Sequence, residues 1–444
     1  MKNQPSRRPS SKRQLPPSQR REIARRKRKR RRQIRRIGLL AVLAVVLVLL
    51  ISRGVSFARQ TLAQQAQNKT VQITTSSNQN KEKTVKSGTL SLIAVGDNLM
   101  HNTLLRDAST SDGYDFTPFY SKIKPYVQAA DIAVINQESP LGKGKAEGYP
   151  SFNTPQACGD ALVDAGFDVI SQANNHTMDS TSSAVYDTMD YWDSQADKGV
   201  IRIGVSRDAD DRAIVRYLKR NGIKVGFLAY TYGLNGAKLP ESNPDLVSLI
   251  DKDKMKEEIA AVKKQCDTVV VVMHWGEEYH ATQNEEQEDL AEFLTENGAT
   301  LIIGAHPHVC EPAGWVKSEN GNRAFCVYSL GNFISGQNKA ETIVEGMLQV
   351  TLTRDESGTV TVKNPGVMPL VCTSIGNRTF RVIPLDDYTE EMASRHTLAS
   401  RCDVSPDNLR TIAQNAYGKY LIAKTIPKTY DTTSVKKSEE KADS

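Results

Sequence analysis

The sequence is poor in the residues that make the commonest metal sites. Its six cysteines (Cys158, Cys266, Cys310, Cys326, Cys372 and Cys402) contain no C-x-x-C pair, which excludes the usual zinc-ribbon spacings. Cys310 and Cys326 bracket a short loop between two strand-like segments and are the best candidates for a disulfide; the other thiols are expected to be scattered and buried. Histidine is scarce, with seven in 444 residues. No internal repeat is visible.

Acid is nearly absent from the N-terminal arm. Residues 1–36 hold 17 Lys or Arg against the single acid Glu22, a net charge of +16 within a chain total of +7, so the remainder carries −9. The basic pI therefore describes an arm and not the folded part, and no nucleic-acid partner is expected. No apolar run is long. The longest uncharged stretch, "IGLLAVLAVVLVLLIS" at 37–52, reaches about 24 Å as a helix, somewhat short of a bilayer core of roughly 30 Å. Arg35, Arg36 and Arg53 can snorkel to close the gap. An Arg-rich flank before the run predicts a single span over 37–53, with residues 1–36 as a basic cytoplasmic tail and the main domain outside the cell membrane. A cleaved signal peptide fits less well, because its basic region is shorter and no A-x-A site follows closely.

Residues 54–88 are rich in Gln, Asn, Thr, Ser and Lys, with few apolar residues to pack, and read as a polar stalk. Residues 426–444 read as a disordered tail. Between them strand-like and helix-like segments alternate. "TLSLIAV" at 89–95, "DIAVIN" at 131–136, "FDVISQ" at 167–172, "TVVVVMHW" at 268–275 and "TLIIGA" at 300–305 read as strands. "TSSAVYDTMDYWDSQ", "DKMKEEIAAVKKQ" and "EEQEDLAEFLTENG" read as helices, the last ending at Gly298. Asn221-Gly222 marks a hairpin turn. The pattern predicts an α/β sheet sandwich over 89–340, with active groups at strand ends, then a β-rich extension and helix over 341–425.

Five motifs follow apolar strands: "VGDNLMH" with Asp97, "NQE" with Asn136 and Glu138, "QANNHTMD" with Asn174, Asn175, His176 and Asp179, "VVVMHWGEEYH" with His274, and "IIGAHPHV" with His306 and His308. Together they hold His101, His176, His274, His306 and His308, with His280 at the end of the fourth, so that six of the seven histidines fall in them. Residues two apart on an extended chain point to one side, and Pro307 biases His306 toward extended backbone, so His306 and His308 are expected to aim both rings at one place. A lone strand-end histidine is commonly structural; five such motifs together predict a metal site. Carboxylates with imidazoles suit Zn, Mn or Fe better than Mg or Ca. His101, His280 and His396 are read as exposed or structural.

With "GD" at 96–97, "NQE", "NNH" at 174–176, "HWG" at 274–276, "GAHPH" at 304–308 and "SLGNF" at 329–333, the sequence resembles the CapA family of poly-γ-glutamate capsule-synthesis proteins. That family is similar to the calcineurin-like metallophosphoesterases. The resemblance implies a four-layer α/β/β/α metallophosphoesterase-like sandwich behind an N-terminal transmembrane helix. It implies one or two divalent ions: Asp97 and His308 on one, Asn175, His274 and His306 on the other, and Glu138 bridging. His176 would be a general acid or transition-state stabiliser, and Asn136, Asn174 and Asn332 would orient ligands or substrate. The first motif departs from the metallophosphoesterase Asp-x-His pattern, since Leu99 stands at the histidine position. Two functions follow. One is metal-dependent phosphoester hydrolysis; the other is non-catalytic binding of an anionic polymer within a membrane capsule-synthesis complex.

Overall fold

The computed structural model describes residues 88–427. The basic tail, the expected membrane span, the stalk and the C-terminal tail from 428 lie outside the described residues, apart from the edges of the stalk and tail. Among the described residues no helix is long and apolar enough to cross a membrane.

The strands are β1 (Gly88–Asn98), β2 (Ser109–Thr110), β3 (Gly113–Tyr114), β4 (Ile132–Asn136), β5 (Val169–Ser171), β6 (Ile201–Ile203), β7 (Tyr217–Arg220), β8 (Ile223–Thr231), β9 (Thr268–His274), β10 (Leu301–Ala305), β11 (Cys310–Lys317), β12 (Arg323–Leu330), β13 (Asn332–Ile334), β14 (Val344–Arg354), β15 (Val360–Ile375) and β16 (Arg378–Pro384). One sheet runs β16-β15-β14-β1-β4-β5-β6, with β13 also on β1; the other runs β11-β12-β10-β9-β8-β7. The C-terminal β-rich strands thus belong to the same sheet as β1.

Alternation along the second sheet sorts its side chains between two cores. Val270, Val272, Leu301, Ile303, Phe325 and Val327 join the main core with Leu92 and Val134 of the first sheet. Val269, Val271, Met273 and Ile302 pack instead against Met255, Ile259, Leu290 and Leu294 of the helices Lys252–Gln265 and Glu285–Asn297. A strand buried on both faces reads as a continuous apolar run, which is why "TVVVVM" shows no polar alternation.

Local signals explain the element ends. Asp251 caps its helix by accepting from the Asp253 and Lys254 amides. Asn284 and Gln287 form a capping box on the next helix, which Gly298 closes in the left-handed conformation. Asn221 and Gly222 take φ of 50° and 82°, as a two-residue hairpin turn of this twist requires.

The sheets are arranged so that β1, β4, β9 and β10 end together. β14 accompanies β1 only to Val95; β13 then takes over in parallel, setting Asn332 opposite Asp97. On the other side Asn136 lies in register with Asp97. In the second sheet His274 pairs with both Thr231 and Ala305. The expected Cys310–Cys326 disulfide is absent, and all six cysteines are free. In the β11–β12 ladder Cys310 lies opposite Leu330 and Cys326 opposite Gly314. That is a four-residue offset, about 13 Å along a strand. The two thiols also enter different cores.

Candidate metal centre

Asp97 is fully buried at the end of β1. A Cβ at Gly96 would lie 1.9 Å from the Gly331 carbonyl oxygen, so only glycine lets β1 approach this turn, where the Asp97 amide donates to that same oxygen at 3.1 Å. One carboxylate oxygen of Asp97 accepts from Asn136 Nδ2 at 2.7 Å, and the other from the His306 amide at 3.1 Å. Asn98 turns away into the core, donating to Gln137 at 2.7 Å and accepting from Tyr120 at 2.8 Å.

The extended backbone expected through His306-Pro307-His308 is not found. His306 has φ of 100° and His308 φ of 60°, both in the positive region that costs a non-glycine residue about 1–3 kcal/mol. The strain is held by the bond from the His306 amide to Asp97 and by the Tyr279 amide, which donates to the Pro307 carbonyl at 2.8 Å. The two rings do not converge on one point, as strand geometry had suggested. They serve two adjacent groups: Glu138, His274 and His306 form one, and Asp97, Glu138 and His308 the other, each with ligand atoms within 4.8 Å of one another.

Glu138 is shared by both groups. It is fully buried, and neither of its carboxylate oxygens has a hydrogen-bond partner. Its Oε1 lies 3.7 Å from His274 Nε2 and 3.9 Å from His176 Nε2, and its Oε2 lies 3.9 Å from His308 Nδ1. Burial, then the neighbouring Asp97 charge, pushes its pKa well up. His274 and His306 offer no compensating charge. Burial and the other histidines hold His274 well below the usual range, and burial, then His308, takes His306 down to about 3. Imidazoles gathered beside two buried carboxyls form a donor set that a divalent cation satisfies. His306 Nδ1 is likewise buried and unpartnered.

The remaining expected residues surround this core. Asn175 Oδ1 lies 2.9 Å from His274 Nε2, within reach of the same point. Asn136 Nδ2 lies 3.3 Å from His274 Nδ1 as well as bonding Asp97. Asn174 shapes the turn, accepting from the His176 amide at 3.1 Å and donating to the Gln137 carbonyl at 3.0 Å. Asn332 Oδ1 lies 3.1 Å from His308 Nδ1. His176 Nδ1 lies 2.8 Å from Asp179 Oδ2, and Phe152 packs on the ring edge at 4.8 Å, so Nε2 faces the centre.

Several neighbours were not legible as site residues. Asp179 was named within the third motif, three residues after His176, but was given no role. Tyr232 lies tilted against His306 at 4.6 Å and Tyr279 against His308 at 5.9 Å, with no such signal. His101 is half-buried on the wall of the adjoining cavity and its Nδ1 accepts from the Gly336 amide at 3.2 Å; burial lowers its pKa to about 4. His396 is buried and structural, and His280 is exposed beside Glu277.

A family model described as bacterial capsule synthesis protein PGA_cap matches residues 91–337, more than half of the chain. The chain belongs to this PGA_cap family. All five motifs of the PGA_cap chain fall inside the matched segment. The PGA biosynthesis protein CapA of Bacillus subtilis (strain 168) is 30% identical over 282 residues, 63% of this chain and 72% of that one. The capsule biosynthesis protein CapA of Bacillus anthracis is 28% identical over 274 residues, 59% of this chain and 64% of its own length, just under two thirds. Among solved structures, Haemophilus influenzae NAD nucleotidase (NadN) aligns with a TM-score of 0.42 at 11% identity, covering 80% of this PGA_cap chain and 60% of that one.

Proposed function

We propose that this chain is a membrane-anchored, extracytoplasmic protein of capsule or poly-γ-glutamate biosynthesis or export, with a metallophosphoesterase-like four-layer domain that hydrolyses a phosphoester. The observation that carries the metal reading is Glu138: a buried carboxylate with two unpartnered oxygens where two ligand triads meet. Asp97 and His308 would hold one divalent ion, Asn175, His274 and His306 the other, and Glu138 both, with Mn, Zn or Fe suited to these donors. When bound, such ions polarise an ester oxygen and acidify water.

The protein's own groups do the rest. Asp179 fixes the His176 ring by accepting at Nδ1, which leaves Nε2 to hold a proton for the departing oxygen. Asn136 ties Asp97 toward His274, and Asn332 orients His308. The basic arm would lie against anionic lipid on the cytoplasmic side.

The test is metal analysis of the purified chain, with phosphodiester turnover assayed in added Mn or Zn. His176→Ala should slow turnover at least about 100-fold with metal content near normal, whereas His306→Ala should lose metal. Equal metal loss in both variants would contradict these roles. A non-catalytic polymer-binding or assembly role within a membrane complex is the second reading, favoured by Leu99, a buried apolar residue on the cavity wall where the related enzymes carry a histidine. Metal without turnover would support it.

A further inference from the structure

Beside the two triads lies a cavity of about 790 Å³ with His176 and His308 on its wall. Lys339 is its one lysine or arginine among the described residues. The ammonium sits 4.4 Å from the centroid of the Tyr279 ring, which itself lies tilted against His308 at 5.9 Å. The Glu278 carboxyl lines the same cavity, and no ion pair to Lys339 is formed among the described residues.

Both partners in this stack are held in place. Tyr279 has φ of 66°, a left-handed conformation unusual for an aromatic residue, and its amide is anchored on the Pro307 carbonyl at 2.8 Å. Its hydroxyl accepts from Gln337 Nε2 at 3.3 Å. The turn carrying Lys339 is closed by Thr342, whose Oγ1 accepts from the Lys339 amide at 3.2 Å and donates to its carbonyl at 3.0 Å. The Thr342 carbonyl accepts from Asn332 Nδ2 at 2.9 Å, and Asn332 in turn faces His308. The lysine is thus connected to His308 by two routes, one through an aromatic ring and one through an amide. A surface lysine is normally mobile; one seated over a ring that strained backbone holds in place, beside a cavity, is an arrangement for binding. The ring face occupies the ammonium from one side and leaves donors for an incoming acceptor.

We infer that Lys339 is an anion subsite that binds a carboxylate or phosphate of the substrate about one tyrosine ring away from the metal centre. The inference rests on the metal-site reading above and narrows the substrate to molecules carrying a second anionic group beyond the reacting ester.

The experiment uses the full-length chain loaded with Zn, and calorimetric titration with methylphosphonate and with phosphonocarboxylates whose two acidic groups are separated by two to six methylenes. At least one member of the series should bind about tenfold more tightly than methylphosphonate, as one charge-assisted hydrogen bond provides. Lys339→Met should remove that advantage while leaving methylphosphonate affinity unchanged, and Lys339→Arg should restore most of it. Methylphosphonate binding with no advantage for any phosphonocarboxylate, or an advantage that survives Lys339→Met, overturns the subsite alone. Failure of every phosphonate to bind overturns the metal-site reading and the subsite with it.

Discussion

Glu138 and Glu311 are both fully buried carboxyls, held for different reasons. Glu138 has no partner on either oxygen and faces three imidazoles, so its site is completed from outside the chain. Metal should therefore stabilise the fold: at a concentration 100 times the dissociation constant, by about 2.7 kcal/mol. Calorimetric scans with and without a chelator should show this as a rise in Tm. Glu138→Gln should abolish the rise without lowering the Tm of the chelated protein. Glu311, by contrast, has one of its two oxygens partnered by Gln287 Nε2 at 2.7 Å, and burial raises its pKa from 4.5 to about 8. The folded carboxyl keeps its proton after the unfolded one has lost it. Its contribution is therefore complete below about pH 4.5 and is lost as pH rises through about 8. Glu311→Gln should gain a few kcal/mol over the native chain at pH 8, and the gain should vanish near pH 4.5, read from urea midpoints.

At the scale of the element, β1 decides whether the centre assembles. Its last turn touches Gly331 so closely that a methyl group at position 96 has no room. Gly96→Ala should cost at least about 2 kcal/mol, and should weaken metal binding too, because Asp97 rides on the displaced turn. Denaturant midpoints and metal titration check the two effects separately. Asp251→Ala, which removes a helix cap far along the chain, should cost about 1 kcal/mol and leave metal affinity alone. The same contrast explains what was readable beforehand. Caps, the Asn221-Gly222 turn and the valine run announce themselves because each depends on neighbours in sequence. The clustering of Asp97, Glu138, His274, His306 and His308 was readable because each follows an apolar strand. The positive φ of His306 and His308 was not, since it is imposed by bonds to Asp97 and to Tyr279 that only the folded chain makes. Nor was the switch of β1 from β14 to β13, which depends on a three-residue strand with no period of its own.

For the molecule as a whole, the open question is whether the segment beyond residue 340 is an appendage. β14 pairs with β1 from Gly88↔Arg354 to Val95↔Met347, so the strand that carries Asp97 has β14 as its neighbour along most of its length. Leu348, Val350, Leu352, Val367, Met368 and Leu370 all enter the main core. At about 1.5–3 kcal/mol each, six such side chains match the whole net stability of a domain. The helix Pro406–Tyr417 is tied in as well, through the Tyr417 hydroxyl donating to the Ser329 carbonyl at 3.3 Å, next to the Gly331 turn. Removing residues 341–427 would expose one edge of β1 and empty the core beneath it. A fragment of residues 88–340 should therefore lack near-ultraviolet circular dichroism, unfold without a cooperative transition and retain no stoichiometric metal, while residues 88–427 should show the dichroism, a cooperative transition and bound metal. Cooperative unfolding of the shorter fragment with a full metal complement would show instead that the centre is built by 88–340 alone and that the C-terminal strands are an accessory to it.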